Sequence, residues 1–250
     1  MKLLGGKAAI ITGASAGIGR EAAGLFAAHG ASLVLVARRA DRLEEVVAEI
    51  ERQGGRARVV VGDVTQERTH QDAVATALDA FGRLDVAFNN AGLVGEIGPL
   101  ADASIETWTQ VIDTNLTAAF LGARSQIPAM LSGNGGSLVF TGSFVGNSVG
   151  LPGMGPYAAA KAGLMGLVRA ITADYAAQGI RANALLPGGT ATEMAGDEDQ
   201  REWAASLHAM KRIAEPSEIA QAALFLASDM ASFVTGSALW ADGGNAAVKL

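Results

Sequence analysis

The sequence has no cysteine, little charge of either sign and no long apolar run. Without cysteine there is no disulfide, no thiol nucleophile and no cysteine-ligated zinc, which is compatible with a reducing compartment. Charged residues make up 18% of the 250 positions and sum to a net charge of −6, with an isoelectric point near 5.1. That balance excludes general nucleic-acid binding, which needs a basic surface to displace counterions. The N-terminal MKLLGGKAAIITG breaks its apolar stretches with Gly5, Gly6 and Lys7, so no signal-peptide core forms. No run approaches the ~18 apolar residues of a membrane span. Linkers, low-complexity tracts and solenoid-period repeats are missing too. The expectation is a soluble, cytoplasmic protein, one domain over 1–250, with no membrane or nucleic-acid partner and no metal site.

Half of the residues are hydrophobic, enough for one sizeable core. Short β-branched or apolar runs alternate with longer helical patterns. Strands are expected at Ala8–Thr12, Ser32–Ala37, Ala57–Val61, Leu84–Phe88, Ser137–Thr141, Arg181–Leu185 and Ala238–Trp240, and helices near 17–29, 41–53, 66–81, 104–130, 157–178 and 216–228. Such alternation predicts an α/β fold, Rossmann-like and doubly wound, with a seven-stranded parallel sheet between helical layers. The least regular stretch is about 187–215. It opens on PGG, carries the acidic cluster Asp197, Glu198, Asp199, read as a solvated face, and has the length of a functional lid.

The first expected strand runs straight into GASAGIG and then into a helix. Gly13 permits the tight turn, Gly17 lets the backbone approach a pyrophosphate, and Gly19 lets the helix pack against the sheet. The helix start offers free N–H groups to a phosphate. Ser15 and Ile18 fall within the same binding loop. The spacing is G-x-x-x-G-x-G rather than the general dinucleotide G-x-G-x-x-G. At the end of the second strand, where an acid would bind the ribose 2′-hydroxyl of NAD, the chain reads VLVARRADR. Arg38 and Arg39 attract a 2′-phosphate that a carboxylate would repel. The expected cofactor is therefore NADP, with NAD less favoured; two solvated surface arginines are the alternative.

In TGSFVGNSVGLPGMGPYAAAK, Tyr157 and Lys161 lie one helical turn apart and share a face. A nearby ammonium favours the phenolate and lowers a tyrosine's pKa from about 10. Ser143 can donate to a carbonyl oxygen if the intervening Gly/Pro loop folds back over the tyrosine. Taken alone, Tyr-x-x-x-Lys is also what an ordinary surface helix carries.

With these pieces together, the sequence resembles the short-chain dehydrogenase/reductases in their ~250-residue single-domain form. The likeness runs end to end. It rests on TGASAGIG at 12–19, Asp63 after strand three, NNAG at 89–92, Asn115 in VIDTNLTAAF, Ser143, Tyr157-x-x-x-Lys161 and PGGTAT at 187–192. The resemblance implies that Tyr157 is the general acid in reduction and the base in oxidation, and that Ser143 orients the substrate oxygen. Lys161 lowers the tyrosine's pKa and bonds the nicotinamide ribose, and Asn115 holds a water of a proton relay. It also places Asp63 and Val64 beside the adenine, and Asn90, Ala91 and Gly92 along the cofactor. Pro187, Gly188, Thr190 and Thr192 fall at the carboxamide. Ala16 departs from the basic residue that some NADP-using members carry there.

The implied substrate is a small carbonyl or alcohol against Ser143 and Tyr157. Val94, Phe144, Val149, Leu151 and Met154 are candidate walls, with Met194, Trp203, Leu207 and Met210 from the segment after Pro187. His208 could reach the pocket, although a lone histidine is more often a surface residue. Members that reduce carrier-bound 3-oxoacyl groups need a basic docking patch. Here MLSGNGG and DYAAQG offer none apart from Arg124, which ranks a small molecule above an acyl-carrier protein. A dinucleotide sensor without turnover is the non-enzymatic alternative. The resemblance also implies a homotetramer.

Overall fold

The computed structural model describes residues 2–248. Seven strands form one parallel sheet in the order β3-β2-β1-β4-β5-β6-β7. They are β1 (Ala8–Thr12), β2 (Ser32–Ala37), β3 (Arg56–Val61), β4 (Val86–Asn89), β5 (Gly136–Thr141), β6 (Ile180–Pro187) and β7 (Ala238–Ala241). The helices are α1 (Gly17–Ala28), α2 (Ala40–Arg52), α3 (Glu67–Phe81), α4 (Ile105–Ile112), α5 (Ala118–Ser132), α6 (Gly155–Tyr175), α7 (Glu198–Ser206) and α8 (Pro216–Ala227).

Successive strand residues point to opposite faces, and the chain uses that period to fill two cores. Ala9 and Ile11 of β1, Leu33 and Leu35 of β2, and Val139 of β5 face one layer with α1, α2 and α8. Ile10, Val34, Val36, Leu138 and Phe140 face the other, with α3, α5 and α6. Both faces are covered, so these strands are almost wholly apolar. Phe26 of α1 stacks on Phe88 of β4, ring centroids 6.3 Å apart.

Strand order reverses between β1 and β4, which are paired with Ile10 opposite Ala87. Helices leave to opposite sides of the sheet there, and a crevice opens beyond the carboxyl ends of the strands.

Two segments differ from expectation. The 104–130 helix is α4 and α5 joined by a π-helical turn, Asp113–Thr117. The 187–215 stretch is not wholly irregular, because it contains α7. Asp197 caps that helix: its carboxylate accepts from Gln200 N at 3.0 Å, and the Gln200 side chain accepts from Asp197 N at 3.0 Å. Glu198 and Asp199 occupy the first turn, where acids favour a helix. The acidic cluster is solvated, and it also starts this helix.

Candidate active site

At the switch point, polar side chains tie the strand ends together. Thr12 Oγ1 accepts from Asn90 N at 3.0 Å and Ala91 N at 3.1 Å. Asn90 Nδ2 donates to Thr12 O, and Thr141 Oγ1 donates to Asn90 Oδ1 at 3.1 Å. The glycine loop is built against this rung. Gly13 has φ +69°, and a Cβ on Gly19 would lie 2.3 Å from Gly13 O. A Cβ on Gly17 would lie 2.9 Å from Thr192 Cγ2, so the loop and the segment after β6 meet across it. Helix α1 has no side-chain cap and no acid in its first turn. Its initial N–H groups and positive dipole end therefore suit a phosphate, and these residues fit a dinucleotide.

Around the end of β2, Arg39 Nη2 donates to Ser15 Oγ at 3.2 Å, and its Nη1 pairs with Glu193 Oε2 at 3.2 Å. Asp63 accepts from the amide and hydroxyl of Thr65, both at 2.9 Å. The Thr65 amide bond is the main cause that holds the Asp63 carboxyl below its ordinary pKa, with the Arg38 guanidinium adding a smaller pull. Val64 is buried, and its carbonyl accepts from His70 Nε2 at 2.7 Å.

The loop between Ser143 and Tyr157 folds back on α6. Asn147 Nδ2 donates to Ser143 O at 2.9 Å and to Lys161 O at 3.2 Å. Gly146 sits at φ +84°, where a Cβ would come 2.2 Å from Ala158 O. Ser143 Oγ accepts from Val145 N at 3.1 Å, which leaves its hydrogen to donate elsewhere. Lys161, 3% exposed, donates to Thr141 O at 2.6 Å and lies 5.5 Å from the Tyr157 ring centroid. Burial lowers the Lys161 pKa to about 7. Burial also raises the Tyr157 phenol, offset in part by the Ser143 hydroxyl. The main cause is the same for the two groups, since desolvation disfavours the charged form of each.

The Asn115 amide is fully engaged. Nδ2 donates to Leu93 O at 2.8 Å and Val111 O at 2.9 Å, while Oδ1 accepts from Leu93 N at 3.3 Å. A Cβ on Gly92 would reach 2.7 Å from Asn115 Oδ1 and 3.3 Å from Lys161 Nζ, so glycine is required for close approach there.

One open cleft of about 1000 Å³ gathers almost every residue expected at the site, from Gly13, Arg38 and Asp63 through Asn90 and Asn115 to Ser143, Tyr157, Lys161 and Thr192. Gly19 is outside it, in the packing of α1 on the glycine loop. Val94, Phe144, Leu151, Met154, Met194, Trp203 and Leu207 line it as expected. Val149 and Met210 do not: Val149 bridges to Val145, and Met210 is exposed. Gln110, Asp113 and Thr114 add polar lining that the sequence reading missed, although their proximity to Asn115 was a usable signal. His208 is not a surface residue: it is 1% exposed, because α7 ends over the PGG turn and covers it. Among the described residues no group of three His, Cys, Asp or Glu could hold a metal ion, and no helix is long and apolar enough to cross a membrane.

A family model described as enoyl-(acyl carrier protein) reductase matches residues 13–246. The A-factor type gamma-butyrolactone 1'-reductase (1S-forming) of Streptomyces virginiae is 44% identical over 248 residues, 97% of this chain and 96% of that protein. Cyclohexanol dehydrogenase of Acinetobacter sp. (strain SE19) is 40% identical over 237 residues, 95% of this chain and 94% of that one. Among solved structures, carveol dehydrogenase from Mycobacterium avium in complex with NAD aligns with a TM-score of 0.94 at 29% identity, covering 98% of this chain and 99% of that chain.

Proposed function

The chain belongs to the short-chain dehydrogenase/reductase family, and from that premise we propose that it is an NADP(H)-dependent oxidoreductase interconverting a small ketone or aldehyde with its alcohol. The observation that carries this reading is the convergence of Ser143, Tyr157 and buried Lys161 in the same cleft as the glycine loop and Arg38.

A nicotinamide dinucleotide supplies the hydride. The chain's own residues handle the proton and the oxygen. In reduction Tyr157 gives its phenolic proton to the carbonyl oxygen, and the Ser143 hydroxyl, already accepting from Val145 N, donates to that oxygen as charge develops on it. In oxidation Tyr157 takes the proton back. In its charged form Lys161 keeps two donors beyond its bond to Thr141 O, which would serve a nicotinamide ribose and the relay. With its amide committed to Leu93 and Val111, Asn115 contributes its backbone carbonyl to a relay water.

Two observations favour NADP. No acid stands at the end of β2, and the Arg38 side chain is exposed at the cleft. A small-molecule substrate is favoured over a carrier-bound acyl group because Arg124, the lone basic candidate for docking, is paired with Glu67 at 3.2 Å. The cyclohexanol-oxidising relative points the same way. A sensor is disfavoured, since binding alone gives no reason to bury an ammonium against a phenol. Exposed Ile105, Trp108 and Phe120 on α4 and α5, and Phe233 and Trp240 around β7, support assembly as a homotetramer.

The test is loss of reduced-nicotinamide absorbance with cyclohexanone, other small ketones and a carrier-linked 3-oxoacyl analogue. It is run with NADPH and NADH on wild type and Arg38→Asp. Turnover of a small ketone with NADPH preferred, and a preference moved toward NADH by the substitution, is expected. Equal use of both cofactors by both proteins removes Arg38 and NADP from the reading; turnover of the carrier-linked compound alone replaces the substrate class.

A further inference from the structure

His208 has no part in the chemistry above, yet it is enclosed by the segments that shape the cleft. It lies just beyond the end of α7. Its Nε2 accepts from Gly189 N at 2.9 Å, and its Nδ1 lies 2.6 Å from Ala204 O. A carbonyl can only accept, so Nδ1 carries the hydrogen. Nε2 faces an N–H, so it carries none. The ring is thus held as the Nδ1–H tautomer, with both nitrogens used.

The packing around the ring is equally specific. Phe144, the residue after Ser143, meets the imidazole edge-on at 5.9 Å between centroids. On the other side three glycines surround it. A Cβ on Gly188 would lie 2.4 Å from Nε2, one on Gly189 3.2 Å from Cε1, and one on Gly243 3.3 Å from Cδ2. Gly243 has a positive φ, but Gly188 and Gly189 do not. A positive φ therefore gives no reason for the PGG doublet, whereas close neighbours do: the imidazole together with Asp242 Cα at 2.9 Å for Gly188, and Ile213 Cγ2 at 2.9 Å together with the imidazole for Gly189. The C-terminal segment closes the far side: Asn245 Nδ2 donates to Leu207 O at 2.7 Å and Met210 N to Gly243 O at 3.1 Å.

We infer that His208 is a positioning residue for dinucleotide binding. It joins the Gly188–Gly189 turn to the end of α7 through the Gly189 amide, while Gly188 N donates to Ala241 O at 3.0 Å and Gly189 O accepts from Ala214 N at 2.8 Å. Through this joint the segment carrying Thr190, Thr192 and Trp203 is held at one distance from the glycine loop. The inference rests on the reading that this turn faces the nicotinamide. A leucine at 208 fills similar space and makes neither bond, so it frees the turn from α7 while the bonds to Ala241 and Ala214 remain. A glutamine offers an amide oxygen to Gly189 N and an amide N–H to Ala204 O, so it restores the joint without an imidazole.

The test titrates NADPH and NADH onto wild type, His208→Leu and His208→Gln, and measures kcat and KM for the dinucleotide that wild type binds more tightly. Loss of one buried hydrogen bond sets the scale at about 10-fold. His208→Leu is expected to raise the Kd and KM by about 10-fold with kcat changed by less than about 3-fold, and His208→Gln to recover most of the loss. Wild-type affinity in His208→Leu overturns the inference, as does a His208→Gln variant as weak as His208→Leu. Nitrogen-15 spectra of wild type give a reading that needs no variant to fold, since the chain has only three histidines. The Nδ1–H tautomer is expected for His208, and the Nε2–H tautomer overturns the joint. If wild type binds neither dinucleotide, the functional reading fails and takes this inference with it, an outcome distinct from normal wild-type binding with an indifferent leucine variant.

Discussion

Lys161 shows how far a site residue can be placed against its own stability. Burial alone lowers its pKa from 10.5 to about 7. The unfolded chain therefore binds more protons than the folded one between those values, and stability rises with pH across that window. The cost of burying the amine is fully present below about pH 7 and gone above 10.5. Lys161→Met removes this cost together with the bond to Thr141 O, worth about 1 kcal/mol. It is expected to abolish turnover, raise the melting temperature near neutral pH, and lose that advantage as pH rises toward 10.5. Thermal unfolding of both proteins across the window checks it; a pH-independent difference would contradict it. That Ser143, Tyr157 and Lys161 meet in one cleft was legible at this scale from their type and spacing. Their surroundings were not. Spacing puts an ammonium beside a phenol but does not tell how dry the place is, and desolvation is the main cause of the shift at both groups. His208 was hidden for a related reason. A lone histidine has no periodicity, and its one signal was indirect: two glycines after a proline that leave room for a ring.

At the scale of elements, strands β1 and β2 have the bounds their composition indicates, since a run buried on both faces is almost wholly apolar. The π-helical turn at Asp113–Thr117 was not legible. The apolar pattern continues through it, and one extra residue per turn leaves little trace over five positions. Helix α7 was missed because EDQREWAAS has no apolar stripe and buries no residue, although Asp197 and Gln200 spell a capping pair. A helix held mainly by its cap opens locally when the cap is lost. Asp197→Ala is expected to cost about 1 kcal/mol of local stability. Amide exchange over 198–206 then speeds about 5-fold while the global melting temperature stays put. Unchanged exchange would show that α7 is held by the cleft rather than by its cap.

For the molecule as a whole, alternation of strands and helices made the parallel sheet legible. It did not tell that β4 lies beside β1, because pairing across the switch point is a long-range choice. The cleft follows from that choice, which is why residues as far apart as Gly13, Asn90 and Thr192 line one space. The surface carries a second message. Ile105 is 80% exposed and Phe233 is fully exposed, while Trp240 stands on the edge strand β7. Edge strands and apolar patches of this kind are usually covered. Sedimentation is expected to give a mass near four times the 25.4 kDa of one chain, and Phe233→Asp to reduce it; a monomer at micromolar concentration would contradict the homotetramer.

The central claim is that Tyr157 delivers the proton while the rest of the cleft holds the dinucleotide. Comparison of wild type with Tyr157→Phe tests it most directly, because phenylalanine keeps the ring and removes only the hydroxyl. The expected result is a fall in kcat of about 10³-fold with NADPH affinity within a factor of about 3; turnover at the wild-type rate in the phenylalanine variant would contradict it.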